Sequence, residues 1–106
     1  MTKAEKLRKI QEILGLKNPQ ENLYADLLKT MGDLKNNYGD YMITEPIDCD
    51  KELKRIPRAD YELCTALLTM LLREDHFSNG SFERRFAEGQ VLPVLLRMKD
   101  VLSAGV

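Results

Sequence analysis

The side chains that most often carry out chemistry are few in this chain, which has one histidine and two cysteines. His76 would need a positioned nucleophile to act as a general base, and no nucleophile motif accompanies it. We therefore expect it to interact with the C-terminal dipole of a helix. Cys64 lies on an apolar helix face and should be inert, while the acidic neighbours of Cys49 disfavour its thiolate. The spacing of these three residues does not fit a zinc site, so the sequence predicts no catalytic residue and no metal.

Acidic residues cluster in the middle of the chain, at Asp40, Glu45, Asp48 and Asp50. Their oxygens are of the kind that Ca²⁺ or Mg²⁺ binds, but the EF-hand spacing and its glycine are absent. A Gly-rich phosphate loop is also absent, so we expect no cofactor. The simplest interpretation is a solvated acidic loop.

The segment 73–89 has the outline of a helix-turn-helix, with a Gly-containing turn at 77–80 and then a short helix carrying Arg84 and Arg85. Arginines on a recognition helix contact guanine edges and phosphates in the major groove. Glu83 and Glu88, however, flank these arginines, and the helix is only about two turns long. DNA binding is therefore the alternative rather than the preferred function.

A structural role explains the same segment. Arg73 and Arg85 can form ion pairs with acidic neighbours, and three phenylalanines can plug the end of a bundle. The acidic neighbours are Glu74, Asp75 and Glu88, and the phenylalanines are Phe77, Phe82 and Phe86. Packing should dominate, because a surface ion pair contributes less than ~1 kcal/mol and a buried Phe ~1.5–3 kcal/mol.

Residues typical of helix starts and ends indicate which elements carry these side chains. Thr2 and Glu5 form a capping box, and we expect Gly15 to end that helix in a left-handed conformation. A second helix should begin with Asn18 as N-cap, Pro19 at the first position and Glu21 closing a box, and end near 35. For residues 38–58 we predict a long, weakly structured connection, with an extended piece at 41–44 and one or two helical turns at 50–55.

The third helix, at about 60–74, is the most informative. Its polar residues Glu62, Thr65, Thr69 and Arg73 fall within about an 80° arc, and apolar residues occupy the rest of the circumference. Such a helix must be enclosed, either by the other helices of the chain or by a second copy. A short helix at 81–88 and a last helix at about 90–104 should follow.

Composition limits the class of protein. The chain has 106 residues, 43% of them hydrophobic, and a formal net charge of −1, which favours one folded helical domain over 1–106 and no general attraction to nucleic acid. Two cysteines without a C-x-x-C motif suggest the cytoplasm, and no apolar run is long enough to span a membrane.

The carboxy-terminal half resembles a family of uncharacterised bacterial proteins. The similarity covers about residues 63–102 and consists of Leu67-Leu68-Thr69, Arg73 to Phe77, Gly80, Phe86, Gly89 and Leu95 to Lys99. His76 stands where that family usually has arginine, and its tryptophan-containing amino-terminal half has no counterpart. The resemblance implies a bacterial or phage origin and a helical carboxy-terminal unit, without an activity.

Together these features predict an all-α bundle of four or five helices around the helix at 60–74. The favoured function is a non-enzymatic module that binds another protein, or its own copy as a homodimer, through helix-to-helix contact. The candidate binding surface consists of Arg73, Arg84, Arg85 and Arg97.

Overall fold

The chain folds into an all-α bundle, as predicted. The computed structural model describes residues 1–16 and 20–104, and these form six α-helices and two 3-10 helices. The α-helices are α1 (Lys3–Leu14), α2 (Glu21–Met31), α3 (Cys49–Leu53), α4 (Tyr61–Phe77), α5 (Ser81–Ala87) and α6 (Leu92–Ala104). The 3-10 helices are Tyr38–Tyr41 and Ile56–Arg58.

Helix α4 forms the centre of the bundle, and its burial is more complete than predicted. Every residue from Cys64 to Leu72 is buried, including two of the four polar residues assigned to a wettable arc. Thr65 donates a hydrogen bond to the Glu62 carbonyl, and Thr69 donates one to the Thr65 carbonyl, both at 2.8 Å. Because these hydroxyls are satisfied within the helix, they can be buried at little cost.

The enclosure of α4 comes from the same chain. Helices α2, α3, α5, α6 and the 3-10 helix Tyr38–Tyr41 pack against it, and α1 packs on α2 and α6. One hydrophobic cluster takes residues from α1, α2, α4, α5 and α6. The burial of α4 therefore requires no second copy of the protein.

The helix ends follow the predicted chemistry in part. Thr2 and Glu5 form the capping box, but Gly15 is right-handed, with φ −79°, so the left-handed stop predicted there is wrong. The caps predicted at Asn18 and Pro19 lie outside the described residues. Helix α2 ends at Gly32, whose φ of 73° is left-handed, and not near residue 35.

The aromatic plug is also smaller than expected. Phe82 is 1% exposed and packs on Tyr24, with ring centroids 5.1 Å apart, while Phe86 lies 6.3 Å from the same ring. Phe77 is 89% exposed at the last position of α4, so its predicted place in the plug is wrong.

A pair of carboxyl groups joins the start of α2 to the end of α4. Burial, followed by a hydrogen bond with Asp75, raises the pKa of Glu21 to about 7. Asp75 accepts the backbone N–H of Phe82 at 3.2 Å, and this bond contributes most to lowering its pKa. In weakly acidic solution Glu21 is therefore protonated and donates a hydrogen bond to the ionised Asp75.

Among the described residues, none of the helices combines the length and apolarity needed to cross a bilayer.

Candidate functional site

Residues 38–58 contain two 3-10 helices and α3, which overlaps the helical turns predicted at 50–55, and a buried carboxylate binds the segment before α3. Glu52 lies in α3 and is 0% exposed. Its Oε2 atom accepts the backbone N–H of Ile43 at 3.0 Å, that of Thr44 at 2.8 Å, and the Thr44 hydroxyl. Its Oε1 atom accepts the Arg55 guanidinium at 2.8 Å. Both carboxylate oxygens are thus satisfied, as a buried charge requires.

The surrounding contacts close the loop on itself. The same Arg55 nitrogen donates to the Tyr41 carbonyl at 2.8 Å, and the Thr44 hydroxyl oxygen accepts the Asp48 N–H at 2.9 Å. Asp48 in turn caps α3 by accepting the N–H of Lys51 at 3.2 Å. We call Met42 to Asp48, held in this way, the pinned loop. The extended piece predicted at 41–44 is found only in part: Tyr41 ends a 3-10 helix, Met42 is extended, with φ −87° and ψ 149°, and Glu52 binds the two residues after it.

The ionised form of Glu52 is favoured in the folded protein. Burial alone would raise its pKa, but hydrogen bonds from Thr44, Arg55 and Ile43 outweigh that effect and lower the pKa below 4.5. The carboxylate is therefore charged at neutral pH, when it accepts all of these donors.

The pinned loop exposes apolar side chains to solvent. Ile43 is 72% exposed and Ile47 is 40% exposed, and Pro46 between them is exposed as well. Single exposed apolar residues are common on protein surfaces. Here two isoleucines lie within five residues on a backbone segment fixed by a buried charge.

Next to the loop, Arg85 of α5 is held by a set of acceptors. Its guanidinium makes two parallel bonds to the Glu74 carboxylate, one of them Nη2 to Oε2 at 2.8 Å. Its Nη1 atom donates to Asp50 and to Gln90, each at 2.9 Å. This two-pronged geometry is the strongest form of an arginine–carboxylate pair, and Arg85 lowers the pKa of both carboxylates.

The thiol beside this cluster is unreactive. Burial, followed by the negative charge of Glu74, raises the pKa of Cys49 to about 12, and burial raises that of Cys64 to about 12. Both cysteines are free thiols. Neither side chain is a thiolate near neutral pH.

Three adjoining depressions cross this face of the molecule. The first, of about 400 Å³, follows the pinned loop, and the second, of about 580 Å³, is bordered by residues 44–51, Glu74 and Arg85. The third, also of about 580 Å³, shares Asp50 with the second. We call the third one the apolar groove; it is lined by Leu53, Ile56, Pro57 and Pro93, together with Asp50, Lys54, Gly89 and Gln90.

Two of the four arginines predicted to form a binding surface are engaged inside the fold. Arg85 is 8% exposed and borders the central depression, where it pairs with Glu74 as the structural interpretation expected. Arg97 donates from Nε to the Ala59 carbonyl at 2.9 Å, joining α6 to the segment before α4. Their guanidinium groups join separate elements of the fold.

The other two arginines lie elsewhere. Arg73 is half-buried and donates to the Asn36 side chain at 3.2 Å, and Arg84 is exposed on α5. Neither borders any of the three depressions. A binding surface made of all four arginines therefore stays a prediction.

Sequence reasoning missed the residues that organise this face. Glu52 stands in a run of charged residues and resembled a solvated side chain. Ile43 and Ile47 were a weak signal, because they are apolar residues without helical or strand periodicity in an acidic segment.

A comparison with protein families bears on the same part of the chain. A family model described as a family of unknown function, DUF6508, matches residues 27–104. The chain belongs to this family. No curated protein and no solved structure matches it.

The DUF6508 match is longer than the resemblance found in the sequence, which covered only about residues 63–102. It extends towards the amino terminus as far as α2 and leaves α1 outside. The pinned loop, the Arg85 cluster and the apolar groove all lie within the matched residues. This face therefore belongs to the DUF6508 unit of the chain.

Proposed function

We propose that the protein is a small, non-enzymatic interaction module that binds another protein chain through the pinned loop. The observation that supports this most directly is the exposure of Ile43 and Ile47 on a segment fixed by Glu52, which is itself 0% exposed. Binding residues are often found on loops that a rigid scaffold positions.

Binding at the pinned loop should cost little conformational entropy. Burying apolar area contributes about 25 cal/mol per Å², so covering two isoleucines is worth a few kcal/mol. Ordering a flexible loop on binding would offset part of that gain, but Glu52 has already ordered this one. The contact expected from the sequence was helix-to-helix; since α4 is enclosed by its own chain, we now place the contact at the loop.

The state of the two cysteines and the single histidine supports a non-enzymatic role. Cys49 and Cys64 are held as thiols, and His76 is exposed in the last turn of α4. Free thiols in a small protein are typical of a reducing compartment, so we place its action in the cytoplasm.

Nothing in the geometry favours the alternative of a DNA-binding regulator. Arg85 would have to reach DNA from α5, and its guanidinium is already bound to Glu74, Asp50 and Gln90. Of the pair considered in the sequence, Arg84 alone is exposed.

The test is capture of proteins from host extract on immobilised wild type and on two variants. Ile43→Asp places a charge on the pinned loop, and Phe77→Asp places one at a still more exposed apolar residue that lines none of the three depressions. We expect at least one protein to be retained by wild type and by Phe77→Asp and lost with Ile43→Asp. If all three retain the same proteins, the pinned loop is not the binding surface.

A further inference from the structure

We propose that the chain bound at the pinned loop is a second copy of this protein, in a two-fold dimer. In this dimer the pinned loop of each copy enters the apolar groove of the other. The inference rests on the proposed function, and it adds the identity of the partner.

The two surfaces match in apolar character. The pinned loop projects Ile43 and Ile47, and the apolar groove offers Leu53, Ile56 and two prolines at its walls. A groove of about 580 Å³ is large enough to receive aliphatic side chains of the loop. The chain thus carries both an exposed apolar projection and an apolar recess.

The two surfaces also have opposite charges. The pinned loop contains the acidic residues Glu45 and Asp48 and no basic one, while Asp50, which lines the groove, is paired with Arg85. Residues 51–58, which form one side of the groove, contain four basic residues and a single acidic one, the buried Glu52. Arg55 is paired with Glu52, but Lys54 is exposed where it lines the groove, and Arg58 is exposed in a neighbouring depression that shares Lys54 with the groove. Glu45, exposed on the pinned loop, is the natural partner for them across an interface.

The arrangement of the surfaces allows a closed dimer. The loop and the groove both adjoin the central depression, since that depression shares residues 44–48 with the loop and Asp50 with the groove. A two-fold axis through the central depression would place each loop over the other copy's groove and form both contacts at once. With a net charge of −1, two copies repel each other little as whole molecules.

Charge reversal distinguishes this dimer from other forms of association. In the first variant, Glu45→Lys, a lysine on the loop faces Lys54 and Arg58; in the second, Lys54→Glu with Arg58→Glu, Glu45 faces two acidic residues. Each variant alone should dimerise roughly tenfold or more weakly than wild type, because like charges then meet at both contacts. Mixed together, the two should form a heterodimer, because each loop again faces a groove of opposite charge.

Sedimentation equilibrium of each protein and of the mixture measures these constants, and thermal unfolding confirms that the variants are folded. Asp26→Lys and Lys29→Glu provide matched charge reversals on α2, which lines none of the three depressions. These controls should dimerise like wild type, and salt should weaken the wild-type dimer.

Three results would overturn the inference: a wild type that stays monomeric, charge variants that dimerise as tightly as wild type, or a mixture that does not associate. A monomeric wild type whose captured proteins are lost with Ile43→Asp would refute the dimer and leave the proposed function standing. Capture that does not depend on Ile43 would refute the proposed function itself.

Discussion

Replacing Glu52 by glutamine should release the pinned loop and destabilise the whole protein. The substitution keeps the volume of the side chain and removes its charge. The three hydrogen bonds from Ile43 and Thr44 then change from charge-assisted, worth ~1.5–3 kcal/mol each, to neutral, worth ~0.5–1.5 kcal/mol. The loss is about 1 kcal/mol per bond, and Arg55 also loses its ion pair. We therefore expect the free energy of unfolding to fall by about 3 kcal/mol.

This loss is large for a domain whose total stability is ~5–15 kcal/mol, and it corresponds to a melting temperature about 10–20 °C lower. Urea denaturation at neutral pH measures the free energy, and hydrogen exchange measures the protection of the Ile43 and Thr44 amides. Glu12→Gln is the matched control, because Glu12 is exposed on α1, outside the pinned loop and the groove. It should behave like wild type in both measurements.

The effect of Glu52→Gln should also depend on pH. Because the pKa of Glu52 is lowered in the folded state, its contribution is complete above the unfolded value of 4.5 and is lost as the pH falls through the lower, folded value. The difference in stability between wild type and variant should therefore shrink in acid. A variant within ~0.5 kcal/mol of wild type at neutral pH, with unchanged amide protection, would refute the role given to Glu52.

Further substitutions test the remaining contacts. Arg85→Ala should lower stability by about 2–4 kcal/mol, because it leaves the partly buried Glu74 unpaired, whereas Arg84→Ala should change it by less than ~0.5 kcal/mol in the same urea titration. Phe82→Ala should cost about 3–5 kcal/mol by thermal unfolding, since it empties a buried site against Tyr24. Glu21 binds a proton more tightly in the folded state, so wild-type stability should fall as the pH rises from 4.5 to about 7; Glu21→Gln should remove this dependence and be the more stable protein at pH ~8.

Periodicity in the sequence was enough to predict the centre of the fold. The apolar circumference of α4 required an enclosed helix, and the structure buries every residue from Cys64 to Leu72. The capping box at Thr2 and Glu5 was likewise readable, because its partners are three residues apart. Such features depend on near neighbours in the chain.

The organisation of the pinned loop could not be predicted in this way. Glu52 bonds to residues eight and nine positions earlier, in a segment without helical or strand periodicity. Its burial depends on where α3 packs on α4, which is a tertiary contact. The contacts of Arg85 were predictable only in part: its pairing with Glu74, 11 residues away, was expected, but Asp50 lies 35 residues away and only the folded chain brings it to Arg85.

The proposed use of the pinned loop can be tested most directly by photo-crosslinking in the host cell. Ile43→p-benzoylphenylalanine places the reactive group on the pinned loop, and the same substitution at Phe77 places it at a still more exposed site elsewhere. The loop position should give a discrete crosslinked product with another polypeptide, a second copy if the two-fold dimer forms, and the Phe77 position should not. The absence of any product at position 43, or identical products from both positions, would contradict the account.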